Sequence, residues 1–262
     1  DIFIRMKIIL GISDGHNSGA CLFQGGKVIS FFSEEDLKGI PRARGFPYLS
    51  IQEIIKQNAL CNKWIDIVGY TDVWGRFPFR ILDNLYRNMS PFTDPESFLS
   101  KICVLFQNSM AFLPGVRLVE ETLSKMILIS YLRKMKVYFR KIVGVPHHIA
   151  HAFSIYPHNL SDSLTVTLDG YGDGLSGTVW VSERKNDDEE VRCVMKVPFW
   201  YSIGLIYAAV TAILGFKEGE ESKVMLMAKN GEYTDTISFF RRELFLNRGN
   251  IVTSGLFWKK KL

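Results

Sequence analysis

Short apolar runs separated by polar, glycine-bearing turns dominate the chain. Lys7–Ile12 is a continuous run rich in Ile and Leu, the pattern of a buried strand. A polar loop, Ser13-Asp14-Gly15-His16-Asn17-Ser18-Gly19, separates it from a second strand, Ala20–Phe23. Gln24-Gly25-Gly26-Lys27 predicts a hairpin turn, because its glycines supply positive φ, and Val28–Ser33 follows as a third strand. Connections this short make the strands antiparallel. Ser50 with Glu53 three residues on predicts a capping box and a helix to about Ala59. Asp66–Thr71 reads as a strand. An amphipathic helical insertion then runs roughly from Arg80 to Tyr138, broken at Pro91, Pro95 and Pro114. Lys141–Val145 is a further strand, and Pro146 opens a helix at a position it tolerates.

The next stretch repeats the opening punctuation. Ser163–Leu168 predicts a strand, Asp169–Gly177 a glycine-rich loop, Thr178–Ser182 a strand, Lys185–Glu190 a polar turn and Val191–Val197 a strand. In both copies an Asp-Gly pair follows the first strand (Asp14-Gly15, Asp169-Gly170) and a Ser-Gly pair precedes the second (Ser18-Gly19, Ser176-Gly177). This internal duplication resembles the actin/sugar-kinase superfamily, whose two halves clamp a nucleotide between two such loops. The expected fold is therefore α/β, a duplicated actin/sugar-kinase-like (ribonuclease H-like) fold with an incomplete second half. Residues 1–160 would be the first half, with the helical insertion at about 80–140, and 161–262 a truncated second half. Ser202–Leu214 predicts an apolar helix with Ser202 as N-cap and Gly215 just past its end, buried between layers because it is apolar nearly all round. A charged loop, Lys217-Glu218-Gly219-Glu220-Glu221, the segment Lys223–Ala228 and a last helix around Thr234–Leu246 complete the pattern.

Composition narrows the classes. At 262 residues with 47% hydrophobic and 23% charged positions, the chain can bury a real core and is not disordered. A net charge of +5 is too diffuse to argue nucleic-acid binding, and Lys259-Lys260-Lys261 reads as a solvated tail. The cysteines, Cys21, Cys61, Cys103 and Cys193, form no closely spaced pair, so a zinc ribbon is unsupported and reduced thiols in a cytoplasmic protein are expected. The most apolar stretches, Ile102–Leu113 and Met126–Leu132, fall short of the ~20 residues that span a bilayer. The start at Asp1 and the apolar end at Gly255-Leu256-Phe257-Trp258 suggest a fragment.

Candidate chemistry falls in four places. Four of the five histidines lie between His147 and His158. On a helix, His147 and His151 project from one face, as ligands for a divalent metal would, while His148 points elsewhere. The alternative is a polar helix face with ordinary histidines. Asp169-Gly170-Tyr171-Gly172-Asp173-Gly174 follows a strand, and its glycines let backbone N–H groups approach phosphate. A plain hairpin turn is the alternative reading there. His16 occupies the corresponding loop of the first half and is a candidate general acid or base. Lys223 offers a point charge to a phosphate, or a surface salt bridge.

The segments Ile9-Leu10-Gly11-Ile12-Ser13-Asp14-Gly15-His16-Asn17, Ser33-Glu34-Glu35, Arg44-Gly45-Phe46-Pro47, His147-His148-Ile149-Ala150-His151-Ala152, Leu168-Asp169-Gly170-Tyr171-Gly172-Asp173-Gly174, Ser202-Ile203-Gly204 with Tyr207, and Leu214-Gly215-Phe216-Lys217-Glu218-Gly219 occur in the order of the carbamoyltransferase family. That family includes the nodulation-factor and antibiotic O-carbamoyltransferases, and the chain resembles it from about Lys7 to Gly231. The resemblance implies a fold related to the tRNA threonylcarbamoyl-transfer enzymes. It implies a metal, iron(II), on His147 and His151. Asp169, Gly170, Tyr171, Gly172 and Asp173 would line the phosphates of ATP or carbamoyl-adenylate, and the metal. Ser202 and Gly204 would start a helix beside the nucleotide, with Lys223 nearby, and His16 would stand where an acceptor hydroxyl meets the carbamoyl group. The expected partners are a small-molecule hydroxyl acceptor, carried in specificity by the insertion, and a carbamoyl-adenylate-forming domain that this chain lacks. No membrane is expected, and the apolar insertion offers a dimer contact.

The chain departs from the family pattern in several positions. Two arginines of the family are Asp36 and Gly39 here, the two glycines of its Gly-Lys-Val-Met-Gly-Leu-Ala stretch are Ser222 and Leu226 in Ser222-Lys223-Val224-Met225-Leu226-Met227-Ala228, and Asn17 stands where Asp is frequent. No third metal ligand is assignable. Two other readings stay open: an ATP phosphotransferase of the same superfamily, against which the histidine pair argues, and a non-catalytic member with a decayed site.

Overall fold

A computed structural model describes residues 7–88, 114–155, 162–185, 188–217, 219–229, 231, 238, 244–247 and 250–253. The chain divides into two compact units, Asp1–Asn159 and Leu160–Leu262.

The first unit is a mixed α/β structure. Strands β1 (Ile8–Ser13), β2 (Gly19–Gln24) and β3 (Lys27–Ser33) form an antiparallel meander turned at Gly25-Gly26. Strands β4 (Trp64–Tyr70) and β5 (Tyr138–Gly144) extend it in parallel, giving a five-stranded sheet of order β3-β2-β1-β4-β5. The helices are α1 (Glu34–Lys38), α2 (Tyr48–Gln57), α3 (Phe77–Ile81), α4 (Asp83–Asn88), α5 (Pro114–Lys134) and α6 (His147–Phe153). Leu10 of β1, Leu22 of β2, Ile65 and Val68 of β4, Ile51 and Ile54 of α2, and Leu128 and Leu132 of α5 share one buried cluster. Each such side chain contributes about 1.5–3 kcal/mol through removal from water. Because β1, β4 and β5 run in parallel, the segments that leave their C-terminal ends emerge at the same end of the sheet.

Two expectations for this unit need correction. Ser50 is not a cap: α2 starts at Tyr48 after Pro47, and Ser50 is a buried residue inside its first turn. The Ser50 backbone N–H and hydroxyl both donate to Glu34 Oε1, at 2.9 and 3.1 Å, so a carboxylate from outside the helix satisfies the exposed end of α2. Glu53 instead accepts from Gln57 on the surface. Helix α5 starts at Pro114, one of the expected break points, where a missing N–H is harmless in a first turn. Strand β5 spans Tyr138–Gly144 rather than the expected Lys141–Val145, while Pro91 and Pro95 lie outside the described residues.

The second unit opens with another antiparallel meander, β6 (Ser163–Gly172), β7 (Leu175–Lys185) and β8 (Asp188–Pro198), in the order β6-β7-β8. A 3-10 turn, Phe199–Tyr201, leads to α7 (Ile203–Ile213), followed by α8 (Glu221–Lys229) and a two-stranded hairpin, β9 (Leu244–Asn247) and β10 (Asn250–Thr253). The expected loop at 169–177 is mostly strand: β6 runs on to Gly172, with its register shifting between Leu168 and Gly172, and only Asp173-Gly174 turns, at φ 52° and 83°. A bulge absorbs the extra residues that composition alone reads as loop. Helix α7 has Ser202 as N-cap, its hydroxyl accepting from the Leu205 N–H at 3.1 Å, and Gly215 past its end at φ 83°. It is not enclosed all round. Ile206, Ala209 and Thr211 are buried, but Ile203 and Ile213 are 54% and 65% exposed, because a single face meets β6. The expected helix around Thr234–Leu246 lies largely outside the described residues, and its last part is strand β9. No helix of the described residues is long and apolar enough to cross a membrane.

Candidate functional site

In the first unit the polar side chains gather where β1, β4 and β5 end. Beyond β1 comes Asp14-Gly15-His16; beyond β4, Thr71-Asp72; beyond β5, Pro146 and then α6 with His147 and His151. The backbone knits these exits together: Thr71 N–H donates to the Ile12 carbonyl at 3.2 Å and Val145 N–H to the Tyr70 carbonyl at 2.8 Å.

His147 and His151, one helical turn apart, face each other through their Nε2 atoms at 2.9 Å. Two imidazole nitrogens on adjacent positions of one six-coordinate ion, with bonds of about 2.1 Å, are about 3 Å apart, so the spacing fits a shared metal. Without a metal, one of the two nitrogens must carry the proton between them. His147 Nδ1 lies 2.5 Å from Asp72 Oδ1. Burial pushes the Asp72 carboxyl up. The hydrogen bond and charge of His147, with the guanidinium groups of Arg76 and Arg80, outweigh burial and hold it well below the usual carboxylate range. His148 is buried but does not point away as expected: its ring centroid lies 5.3 Å from that of His147 and 6.2 Å from that of His151.

A buried charge network stands behind this pair. Arg80 grips Asp14 with two prongs, Nε to Oδ2 at 2.6 Å and Nη2 to Oδ1 at 3.1 Å, and reaches the Ser124 hydroxyl at 2.6 Å. The same guanidinium donates to the carbonyls of Thr71 and Asp72 at 2.9 and 3.0 Å. Arg76 donates to the Asp14 carbonyl at 2.7 Å. His16 is exposed and forms a single antiparallel bridge with Arg44; the turn is pinned by Ser18, whose N–H and hydroxyl both donate to the Ala43 carbonyl. Sequence reasoning missed Asp72, Arg76 and Arg80. The available signal was position alone, since Asp72 follows directly on an apolar strand.

The altered motif positions have structural roles. Asp36 completes the cap of α1: its N–H donates to the Ser33 hydroxyl at 3.0 Å, and that hydroxyl donates to Asp36 Oδ2 at 2.6 Å. Gly39 ends α1 at φ 66°, a left-handed cap that favours glycine.

In the second unit, Ser202 Oγ donates to the Asp169 carbonyl at 3.2 Å, and a Cβ on Gly204 would stand 2.9 Å from the Gly170 Cα. The N-terminus of α7 therefore packs against the backbone of Asp169-Gly170. The Tyr171 ring meets Phe199 edge-on, Gly172 pairs with Leu175, and Asp173 is buried in the turn. Asp169 Oδ1 accepts from the Gly170 N–H at 2.6 Å. Lys223, on α8, is bonded to Glu220 at 2.6 Å with its side chain half exposed.

The first unit is of the α/β class, and in open α/β sheets ligands commonly bind beyond the carboxyl ends of the strands, the end at which these polar side chains gather. Residues 8–245 match the family described as carbamoyltransferase N-terminus, and the chain belongs to that family. The nodulation protein NolNO of Sinorhizobium fredii is 26% identical over 221 residues, covering 83% of this chain and 28% of that protein. An uncharacterized protein of Methanocaldococcus jannaschii is 25% identical over 222 residues (84% and 33%), and one of Synechocystis is 24% identical over 241 residues (88% and 36%). The chain thus spans about a third of the length of these curated relatives.

Proposed function

We propose that the chain is the acceptor-side domain of an O-carbamoyltransferase, moving a carbamoyl group from carbamoyl-adenylate to a hydroxyl of a small molecule. The observation that carries this is the convergence of His147 and His151 Nε2 at 2.9 Å in a member of the carbamoyltransferase N-terminus family. The alternation of two antiparallel meanders, β1-β2-β3 and β6-β7-β8, with Asp14-Gly15 just past β1 and Asp169-Gly170 in the bulged last part of β6, supports a duplicated actin/sugar-kinase-like fold. The relatives are about three times as long as the matched region, which leaves room for the separate domain that would make the carbamoyl-adenylate.

In the proposed reaction the acceptor oxygen bonds to the carbamoyl carbon and the carbon–oxygen bond to the phosphoryl group breaks. The products are a carbamate ester and AMP, and the hydroxyl proton passes to His16 and then to solvent. His147 and His151 would hold iron(II), which supplies Lewis-acid polarisation of the carbonyl when bound. Asp169–Asp173, Ser202 and Gly204 would receive the adenylate phosphate at the start of α7, with Lys223 swinging from Glu220 to add charge. A non-catalytic member is the second reading, favoured by the use of Asp36 and Gly39 as helix caps where the family has arginines.

Incubation of the purified chain with carbamoyl-adenylate, iron(II) and a panel of hydroxyl compounds tests the two. Acceptor-dependent AMP release with matching carbamate ester supports transfer. Release that is the same with and without any acceptor contradicts it.

A further inference from the structure

Asp72 is built into the fold with more constraint than a surface loop needs. Its backbone is left-handed, at φ 57°, a conformation that costs most side chains energy and that Asp tolerates better than others. Arg80 clamps that conformation by donating to the carbonyls on both sides of the turn, Thr71 and Asp72, and Arg80 is itself locked by Asp14 and Ser124. The carboxylate so presented has one oxygen, Oδ1, on His147 Nδ1. The other, Oδ2, lies 3.1 Å from where a Cβ of Gly15 would stand, so the glycine beside His16 leaves room for it.

We infer that Asp72 is a positioning residue for metal binding: it holds His147 in the Nδ1–H tautomer and fixes its ring, so that the Nε2 lone pair points with His151 at one ion. This inference rests on the metal reading of the histidine pair. A carboxylate on the far nitrogen of a ligand histidine strengthens the imidazole as a donor and orients it. Asp72 falls in none of the motif segments that carry the family resemblance, so the role comes from geometry alone.

The full chain is compared with Asp72→Gly, Asp72→Asn and His147→Ala. Glycine keeps the left-handed backbone and removes the carboxylate; asparagine keeps the backbone and an acceptor oxygen but not the charge. In the metal-free protein, nitrogen-15 spectra of the histidines should show His147 as the Nδ1–H tautomer. That signal should be lost in Asp72→Gly and kept in Asp72→Asn. Iron(II) affinity, measured by competition with a chelator, should fall about 10–100-fold in Asp72→Gly, with Asp72→Asn between it and the parent. Urea unfolding of each variant checks that it is folded. An unchanged His147 tautomer, or unchanged iron affinity, in folded Asp72→Gly overturns the inference. Failure of the parent chain itself to bind iron overturns the metal reading, and the tautomer result still separates that failure from this one.

Discussion

Arg80 and Asp14 form a two-pronged ion pair in the interior, both side chains almost wholly removed from water. The pair ties the exit of β1 to the start of the insertion. Through the carbonyls of Thr71 and Asp72 it also shapes the exit of β4.

Removing one partner leaves the other charged and buried. Arg80→Leu should therefore cost about 3–5 kcal/mol of stability, read from urea unfolding. Arg80→Lys should also destabilise, because an ammonium cannot reproduce the planar fork that spans Asp14, Ser124 and two carbonyls. A change below about 0.5 kcal/mol in both variants would contradict the role given to this residue.

Gly204→Ala should push the start of α7 away from Asp169-Gly170, since the new methyl would meet the Gly170 Cα at 2.9 Å. The expected cost is about 1–3 kcal/mol in thermal or urea unfolding. Calorimetry should show weaker AMP binding in the same variant. Unaltered AMP affinity would separate α7 from the proposed phosphate site.

Two tyrosines predict an alkaline limit. Burial, reinforced by nearby carboxylates against the opposing charge of an arginine, pushes Tyr70 and Tyr131 up to about 12 from an ordinary value near 10. The folded state then binds protons more tightly than the unfolded state. The resulting stabilisation is fully present below pH 10 and is lost as pH rises from 10 towards 12. Urea midpoints should fall between pH 10 and pH 12, and Tyr131→Phe, which removes the hydroxyl that donates to the Arg80 carbonyl, should flatten part of that fall.

If His16 takes the acceptor proton, His16→Asn should lower the transfer rate by about 10²–10⁴ while AMP affinity stays constant. Loss of AMP affinity without loss of rate at saturation would move His16 from proton transfer to nucleotide binding.

The strands were the most legible part of the chain, since each core run carries its own periodicity: Leu10, Leu22, Ile65 and Val68 are apolar in sequence and buried in the fold. Helix α7 was readable at both ends because Ser202 and Gly215 are local signals. What was hidden depends on distant partners. Ser50 looks like a cap until Glu34, sixteen residues earlier, takes its N–H. The strand-like path of Asp169–Gly172 is imposed by pairing with β7, which composition does not report. Asp72, Arg76 and Arg80 converge only when β1, β4 and β5 are side by side, and no spacing rule within the chain brings them to His147.

The most direct test of the account is the metal dependence of carbamoyl transfer. Acceptor-dependent AMP release from carbamoyl-adenylate is measured for the iron(II)-loaded chain, the chelator-stripped chain and the His147→Ala/His151→Ala variant. The account predicts release in the first, little in the second with recovery on adding iron(II), and none restored by iron in the third. Equal release from all three would contradict it.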